Sequence, residues 1–363
     1  MMLFEKYNLA GIEMKNRLVR SATYEKRADL DGFVTEDLIS MYGELAKGGV
    51  GLIITGNALV HVSGPSAPLM MCIHNDHYIE KLKRLTDAVH KQDGKIVIQL
   101  SHGGRQSHSS LLGGESPIAP SEVSDPSSRM TPRAMTGEEI WMLVEAFGEA
   151  VGRAAMSGFD GVQIHGAHGY LVNQFLSPHT NRRNDYWGGD EERRFHFIEE
   201  VFKEVRKEVG KQYPVMIKMN ADDCLDSGLR PPEALRIAKR LVQMGMDAVE
   251  VSGGMHESAP SSVRPKILES GQEAYFRDNS RLFKEHLDVP VILVGGIRSR
   301  SVAEDVLQKG DADLVSIARP LIREPDLPRK FMQGKERADC ISCNGCLRFK
   351  KIDMVKCVQL EKA

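Results

Sequence analysis

Between Gly161 and Gly189 the chain reads GVQIHGAHGYLVNQFLSPHTNRRNDYWGG. FDGVQIH opens this stretch as a buried strand would, yet His165, His168 and Tyr170 crowd its exit. Two imidazoles and a phenol can bind metal, exchange protons or satisfy core hydrogen bonds. An HxxH pair suits zinc, but zinc wants a third protein ligand and no carboxylate stands beside the pair. A structural histidine is the ordinary alternative. Two of them plus a tyrosine, all at one strand exit, argue against it.

Other groups invite similar questions. VGGIRS places Gly295 and Gly296 after an apolar run, and SIARP places Ala318 and Arg319 after another. Glycines let backbone N–H groups approach a ligand closely, and an arginine fork matches phosphate oxygens. The bland alternative is a tight turn with a surface arginine. Cys340, Cys343, Cys346 and Cys357 crowd the C-terminal end, whereas Cys72 and Cys224 stand alone. In a reducing compartment such a cluster points to metal or an iron–sulfur centre more than to disulfides.

These residues need a scaffold, and the apolar pattern supplies one. Short β-rich runs alternate with longer amphipathic ones: NRLVRS, VGLIIT, KIVIQL, FDGVQIH, YPVMIKMN, MDAVEVSGG, VPVILVGG and ADLVSIARP. Helices are expected after Thr35, up to about Gln92, after Thr136 with Glu139 completing a capping box, after Gly189, and from Pro231 and Pro232. In the helix after Gly189, Ile198, Val201, Phe202, Val205 and Val209 mark one face. The strands read as continuous apolar runs, which predicts burial on both faces and a parallel sheet. Eight βα units predict an α/β fold, a single-domain (β/α)₈ TIM barrel over 1–335, followed by a cysteine-rich extension over 336–363. A doubly wound sheet is the alternative, but no GxGxxG follows any strand. Active sites of this barrel lie at the C-terminal ends of the strands. There His165, His168, Gln99, Lys218, Gly295, Gly296 and Arg319 converge. The Ser-, Gly-, Pro- and Arg-rich stretch from Ser101 to Met135 reads as a lid over that mouth, with a disordered insertion as the alternative.

Composition narrows the class. The 363 residues carry a formal net charge of −2 and are 41% apolar. Near-neutral charge gives no electrostatic footprint for nucleic acid. No apolar run approaches the roughly 20 residues of a membrane span. MMLFEKYNLAG lacks a signal peptide's apolar region, so a cytoplasmic location is expected. A homo-oligomer is compatible with the sequence, which contains nothing that sets the state.

HGAHGYLVNQFLSPHTNRRNDYWGG, NRLVRSATYE, VIQLSHGGR, VGGI and IARPLIREPDL together resemble the Old Yellow Enzyme family of FMN-dependent ene-reductases. The resemblance covers most of the chain and implies FMN across the barrel mouth, reduced by NADH or NADPH. It assigns Ser21, Ala22, Thr23, Tyr24, Asn57, Gln99 and Lys218 to the flavin, with the phosphate at Gly295, Gly296, Ala318 and Arg319. Lys218 would stabilise the anionic reduced flavin. His165 and His168 would hold the carbonyl oxygen of an enone or enoate, as an oxyanion hole does, and Tyr170 would protonate the α-carbon. Arg182, Arg183, Asp185 and Arg193 are expected to tie the long loop and the next helix.

Departures from the family pattern stand out at strand one and in the tail. Ala22, Thr23 and Tyr24 occupy positions where many relatives have proline, methionine and threonine or cysteine, which leaves the flavin potential open. Lys26 falls where some relatives place a substrate-contacting tyrosine, which makes the pocket more polar. CISCNGCLRFKKIDMVKC resembles the four-cysteine segment of 2,4-dienoyl-CoA reductase-type members, with two gaps about one residue shorter. Four thiolates suit a [4Fe–4S] cluster or structural zinc, and free thiols are the third option. Those larger relatives continue into nucleotide-binding domains. This sequence ends at Ala363, so a cluster is expected to exchange electrons with a separate partner. The reading that follows is an NAD(P)H-dependent reductase of conjugated C=C bonds. The alternatives are a flavin/iron–sulfur electron-transfer component and, third, a zinc hydrolase using HxxH.

Overall fold

The computed structural model describes residues 1–107, 109–126, 130–348 and 353–360. Eight strands form one closed parallel barrel: β1 (Leu18–Arg20), β2 (Leu52–Leu59), β3 (Ile96–Ser101), β4 (Gly161–Gly166), β5 (Val215–Asn220), β6 (Ala248–Ser252), β7 (Val291–Val294) and β8 (Leu314–Ile317). Each pairs with the next in sequence. β8 closes on β1 through Val315↔Leu18, Ser316↔Val19 and Ile317↔Arg20. The longer helices between them are α1 (Glu36–Lys47), α2 (Ile79–His90), α3 (Gly137–Met156), α4 (Glu191–Val209), α5 (Pro231–Gln243), α6 (Arg277–Lys284) and α7 (Arg300–Gln308). This is the (β/α)₈ TIM barrel that the strand count predicts.

Local chemistry starts the helices where the sequence signals stand. The Thr35 hydroxyl accepts from the Leu38 N–H at the start of α1. Thr136 and Glu139 form both bonds of a capping box on α3. Asp190 caps α4, whose Ile198, Val201, Phe202 and Val205 are buried, and Pro231 and Pro232 occupy the first turn of α5. Each cap satisfies N–H groups that a helix leaves without intrahelical partners.

Side chains alternate across a strand, so each strand feeds two cores. Ile53, Ile98, Ile164, Ile217, Val249 and Leu293 face outward and pack with the helices. Val19, Leu52, Ile54, Val97, Met216, Ala248, Ile292 and Leu314 fill the lower barrel. An N-terminal hairpin (Tyr7–Leu9 and Ile12–Met14) joins this inner core through Leu9, Ile12 and Met14. Two residues further along the strands the inward positions turn polar: Ser21, Gln99, Gln163, Lys218, Glu250 and Ser316, all buried. Every residue of β3 to β6 is buried, as continuous runs imply. The barrel's upper layer is nevertheless polar, so its buried groups need hydrogen-bond partners from one another.

The stretch from Ser101 to Met135 is more ordered than a bare loop. It contains two 3₁₀ turns (Gly104–Gln106 and Ser109–Leu111), and its Ile118–Ala119 pairs with Arg133–Ala134. Arg105, almost fully buried, donates to the Ser124 carbonyl and to Glu257. Arg183 donates to the carbonyls of Pro120 and Met135 and pairs with Asp185, which ties this stretch to the long loop after β4. Arg182 donates its backbone N–H to the Ser121 hydroxyl, and Arg193 pairs with the α4 cap Asp190. His108 and residues 127–129, which belong to the expected lid, lie outside the described residues.

The inner core makes a direct stability prediction. Leu9→Ala leaves a cavity under the barrel and should cost about 2–5 kcal/mol in chemical denaturation. Leu30→Ala, at a 93% exposed position, should stay within about 0.5 kcal/mol of the parent. Equal effects would show that the hairpin does not plug the barrel.

Candidate active site

A cleft opens at the C-terminal ends of the strands, where barrels of this kind place their ligand sites. Its walls include Ser21, Ala22, Thr23 and Tyr24 after β1, His168 after β4, Lys218 on β5, Gly296 after β7, and Ala318 and Arg319 after β8. Eight of the expected flavin and phosphate residues thus line one space with the substrate candidate His168, together with Tyr275, Phe276, Arg298 and Ser316, which carried no sequence signal. Gly295 stands behind this wall: the Tyr275 N–H donates to its carbonyl at 3.1 Å. Gly296, at φ +72°, has no room for a side chain, since a Cβ would meet the Tyr275 ring at 2.7 Å. Arg319 Nη1 donates to the Arg264 carbonyl at 2.9 Å and to Asn344 Oδ1 at 2.5 Å. Both bonds use one nitrogen of a group that carries five N–H donors. Lysine, arginines and a glycine turn around one cleft suit a planar ligand with an anionic tail, and FMN is such a ligand.

Below the cleft a buried network links six of the barrel's strands or their exits. The Glu250 carboxylate accepts from Ser21 at 2.7 Å, from Ser316 at 2.9 Å and from Gln163 at 2.9 Å. Lys218 Nζ lies 3.4 Å from the same carboxylate and donates to Ser21 at 2.8 Å. The Gln99 side-chain amide in turn donates to Gln163 Oε1 at 2.7 Å. Gln99 is therefore under the cleft rather than in its wall. Sequence reading missed Gln163 and Glu250. Their signal was a polar residue between apolar neighbours in VQI and VEV, which places it on the inward face.

The head of β4 gathers the imidazoles and the phenol. The His165 ring is 4.5 Å from Tyr170 and 5.5 Å from His168, centre to centre. The turn between them is tight: His168 at φ +61° and Gly169 at φ +79° are both left-handed, and a Cβ on Gly169 would meet Gln106 at 2.6 Å. The Asn220 side chain accepts the His168 N–H at 3.1 Å, and His168 Nε2 bonds to the Ser252 hydroxyl at 2.7 Å. His165 Nδ1 is buried and has no partner among the described residues. Burial, with Lys218 adding repulsion, pushes the His165 pKa down to about 3 and His168 well below its usual value. Both rings are thus neutral at pH 7. Burial raises the Tyr170 pKa, which keeps its proton in place.

The remaining expected residues lie apart. Asn57 sits at a register shift between β2 and β3, bonded to Ser66 at 3.1 Å, and does not line the cleft. Gly56 beside it has no room for a side chain, since the Glu25 carboxylate would be 2.2 Å from a Cβ. The Tyr24 hydroxyl donates to the Pro68 carbonyl, away from Thr23, whose hydroxyl donates to Ser21. Lys26 is at φ +54° and is absent from the cleft wall, so the polar pocket expected from it is not built by that wall.

Cys340, Cys343, Cys346 and Cys357 line a separate small cavity, with Arg319 as a shared wall with the main cleft. The Gly345 N–H and the Gln359 amide approach Cys343 Sγ at 3.4 and 3.5 Å, and Arg323 approaches Cys357 Sγ at 3.6 Å. Among the described residues no three His, Cys, Asp or Glu side chains converge as a single metal ion requires. Among them, too, no helix is long and apolar enough to cross a membrane.

The buried histidines predict a pH dependence. His102, fully buried, also has its pKa pushed down to about 3 by burial. In the unfolded chain His102 and His165 titrate near 6.5. Above that pH both states are neutral. Below it the unfolded chain takes up protons that the folded chain refuses, so stability falls as pH drops from about 6.5 towards 3. The slope is about 1.4 kcal/mol per pH unit for each, roughly 3 for the two. Denaturation at pH 7 and pH 5 should show this loss, and His102→Phe should reduce the slope.

Comparison with known proteins places this geometry in context. Residues 2–338 match the model of the NADH:flavin oxidoreductase / NADH oxidase family. The chain is 37% identical over 349 residues to an NADH oxidase of Thermoanaerobacter brockii, covering 95% of this chain and 53% of that protein. It superposes on 2-naphthoyl-CoA reductase with a TM-score of 0.88 at 28% identity, over 96% of this chain and 54% of the other. The Old Yellow Enzyme homologue of Zymomonas mobilis gives a TM-score of 0.79 at 27% identity, over 94% and 95%. The chain spans about half the length of the first of these relatives. With a matching barrel and a family match running from end to end of that barrel, the chain belongs to the NADH:flavin oxidoreductase / NADH oxidase family.

Proposed function

We propose that this chain is an FMN-dependent reductase that uses NAD(P)H to reduce the C=C bond of α,β-unsaturated carbonyl compounds. One observation carries the reading: two neutral imidazoles and a protonated phenol stand together at the head of β4, and one of those imidazoles walls the cationic cleft. FMN, when bound, would supply hydride transfer between NAD(P)H and the alkene.

The protein's share is binding, orientation and a proton. Ser21, Ala22, Thr23, Tyr24 and Lys218 would hold the ring end of the flavin, with Gln99 and Asn57 behind them. Gly296, Ala318 and Arg319 would hold the phosphate, backed by Gly295. His165 and His168 donate N–H to the substrate's carbonyl oxygen and stabilise the enolate that develops there. Being neutral, they stabilise it by hydrogen bonding without protonating it outright. Tyr170 gives its phenolic proton to the α-carbon, and the phenol then recovers a proton from water.

We propose further that the four tail cysteines hold a cofactor of their own. A cubane cluster is larger than an ion and needs thiolates spread around a cavity, with N–H donors aimed at sulfur. Cys340, Cys343, Cys346 and Cys357 around one cavity, with Gly345, Gln359 and Arg323 as donors, suit a [4Fe–4S] group better than zinc. Such a group would supply single-electron exchange, as in an electron-transfer component. Anaerobic purification should then give about four irons per chain, and replacing Cys343 and Cys346 by alanine should remove them. Zinc in place of iron, or neither metal, would overturn this part.

For the main reading, Tyr170→Phe should slow reoxidation of the reduced flavin by an enone about 10²–10⁴-fold while leaving reduction by NAD(P)H near the parent rate. Equal losses in both half-reactions would remove Tyr170 as the proton donor. A reduced flavin reoxidised anaerobically no faster with enone than without it would exclude ene-reduction altogether.

A further inference from the structure

The cleft's one lysine does not act alone. Lys218 shares the space beneath the cleft with a carboxylate that no solvent reaches: the Glu250 side chain is 0% exposed and that of Lys218 5%. A buried carboxylate persists only where partners replace its water. Here Ser21, Ser316, Gln163 and Lys218 do so, from β1, β8, β4 and β5. Gln163 passes the contact on to Gln99.

We propose that Glu250 is a positioning residue that sets the reduction potential of the bound flavin, by offsetting the charge of Lys218 and fixing its ammonium against Ser21. The proposal rests on FMN occupying the cleft above. Two electrons and one proton convert oxidised FMN to its anionic reduced form, with NAD(P)H or dithionite as donor. A lone Lys218 would favour that anion strongly. Paired with Glu250 the site is close to neutral, so the flavin is held at a lower potential and remains the stronger hydride donor. Water cannot reach this pair from below, because the barrel's lower half is filled with hydrocarbon from Val19, Val97, Met216, Ala248 and Leu314. The same hub explains why Gln163 and Ser316 are polar where the strands could have been apolar.

The test is potentiometry of FMN-loaded protein with a reference dye. Glu250→Gln should raise the reduced-to-oxidised ratio at least tenfold at a fixed potential, an upward shift of about 30 mV for a two-electron couple. Glu250→Asp, which keeps the charge, should stay close to the parent. Where Glu250→Gln fails to fold with Lys218 uncompensated, the double variant Lys218→Met/Glu250→Gln removes both charges. Its potential should match the parent's. A double variant at least tenfold lower in that ratio would mean that Lys218 acted unopposed and would overturn the proposal, as would an unmoved potential in a folded Glu250→Gln. A parent protein that binds no FMN would remove the cofactor seat and this inference with it. Bound FMN with an unresponsive potential removes the inference alone.

Discussion

A carboxylate sealed inside a barrel has to be answered from every side, and Glu250 imposes that condition on its neighbours. Its partners come from strands far apart in sequence, and they meet because the barrel closes with β8 against β1. The period of two then divides the interior into layers. Val19 precedes Ser21, Val97 precedes Gln99, Met216 precedes Lys218, Ala248 precedes Glu250 and Leu314 precedes Ser316. Hydrocarbon fills the lower layer and polar groups fill the next. A slip of one residue in any of these strands would turn a charge or amide into the apolar shell under the helices. The polar layer therefore holds register as well as supporting the cleft.

Desolvation works in the opposite sense at the head of β4. There it strips His165 and His168 of charge and keeps the proton on Tyr170. The strand end thus presents groups that donate hydrogen bonds without net charge, next to a cleft whose cations are Lys218, Arg298 and Arg319. The left-handed pair His168 and Gly169 makes this arrangement possible, because it turns the chain within one residue of the strand and aims His168 at Ser252 on β6. The cost of that backbone is met by Asn220, Asn173 and Gln106, which bond the turn's amides and carbonyl.

Two peripheral segments close over this mouth. Arg105 and His179 both engage Glu257, whose carboxyl they hold down near 2 against the pull of burial, so the loops after β3, β4 and β6 share one ion cluster. On the other side the cysteine-bearing tail returns to the barrel: the Lys266 N–H meets the Ser342 carbonyl, and the Val355 N–H meets that of Glu25. Arg319 belongs to the wall of both cavities.

Much of this was present in the order of residues. Eight apolar runs separated by capped helices prescribe a parallel barrel, since propensity, caps and periodicity are local properties. The HGAHGY segment and the two glycine and arginine turns mark the mouth, because chemistry at a strand exit is visible as polar residues where a core has no use for them. Glu250 and Gln163 were not recognised, although each interrupts an apolar run. Within one strand a lone inward polar residue looks like a weak strand, and its meaning appears only when the other strands bring Ser21, Lys218 and Ser316 to the same height. Likewise the sequence placed Asn57, Lys26 and Gly295 in the cleft wall, whereas the β2 register shift, a left-handed backbone at Lys26 and the Tyr275 contact set them outside it. Sequence alone determined which elements form and where they begin. The closure and stagger of the barrel decided which side chains share a layer, because that is a relation among strands and no single strand contains it.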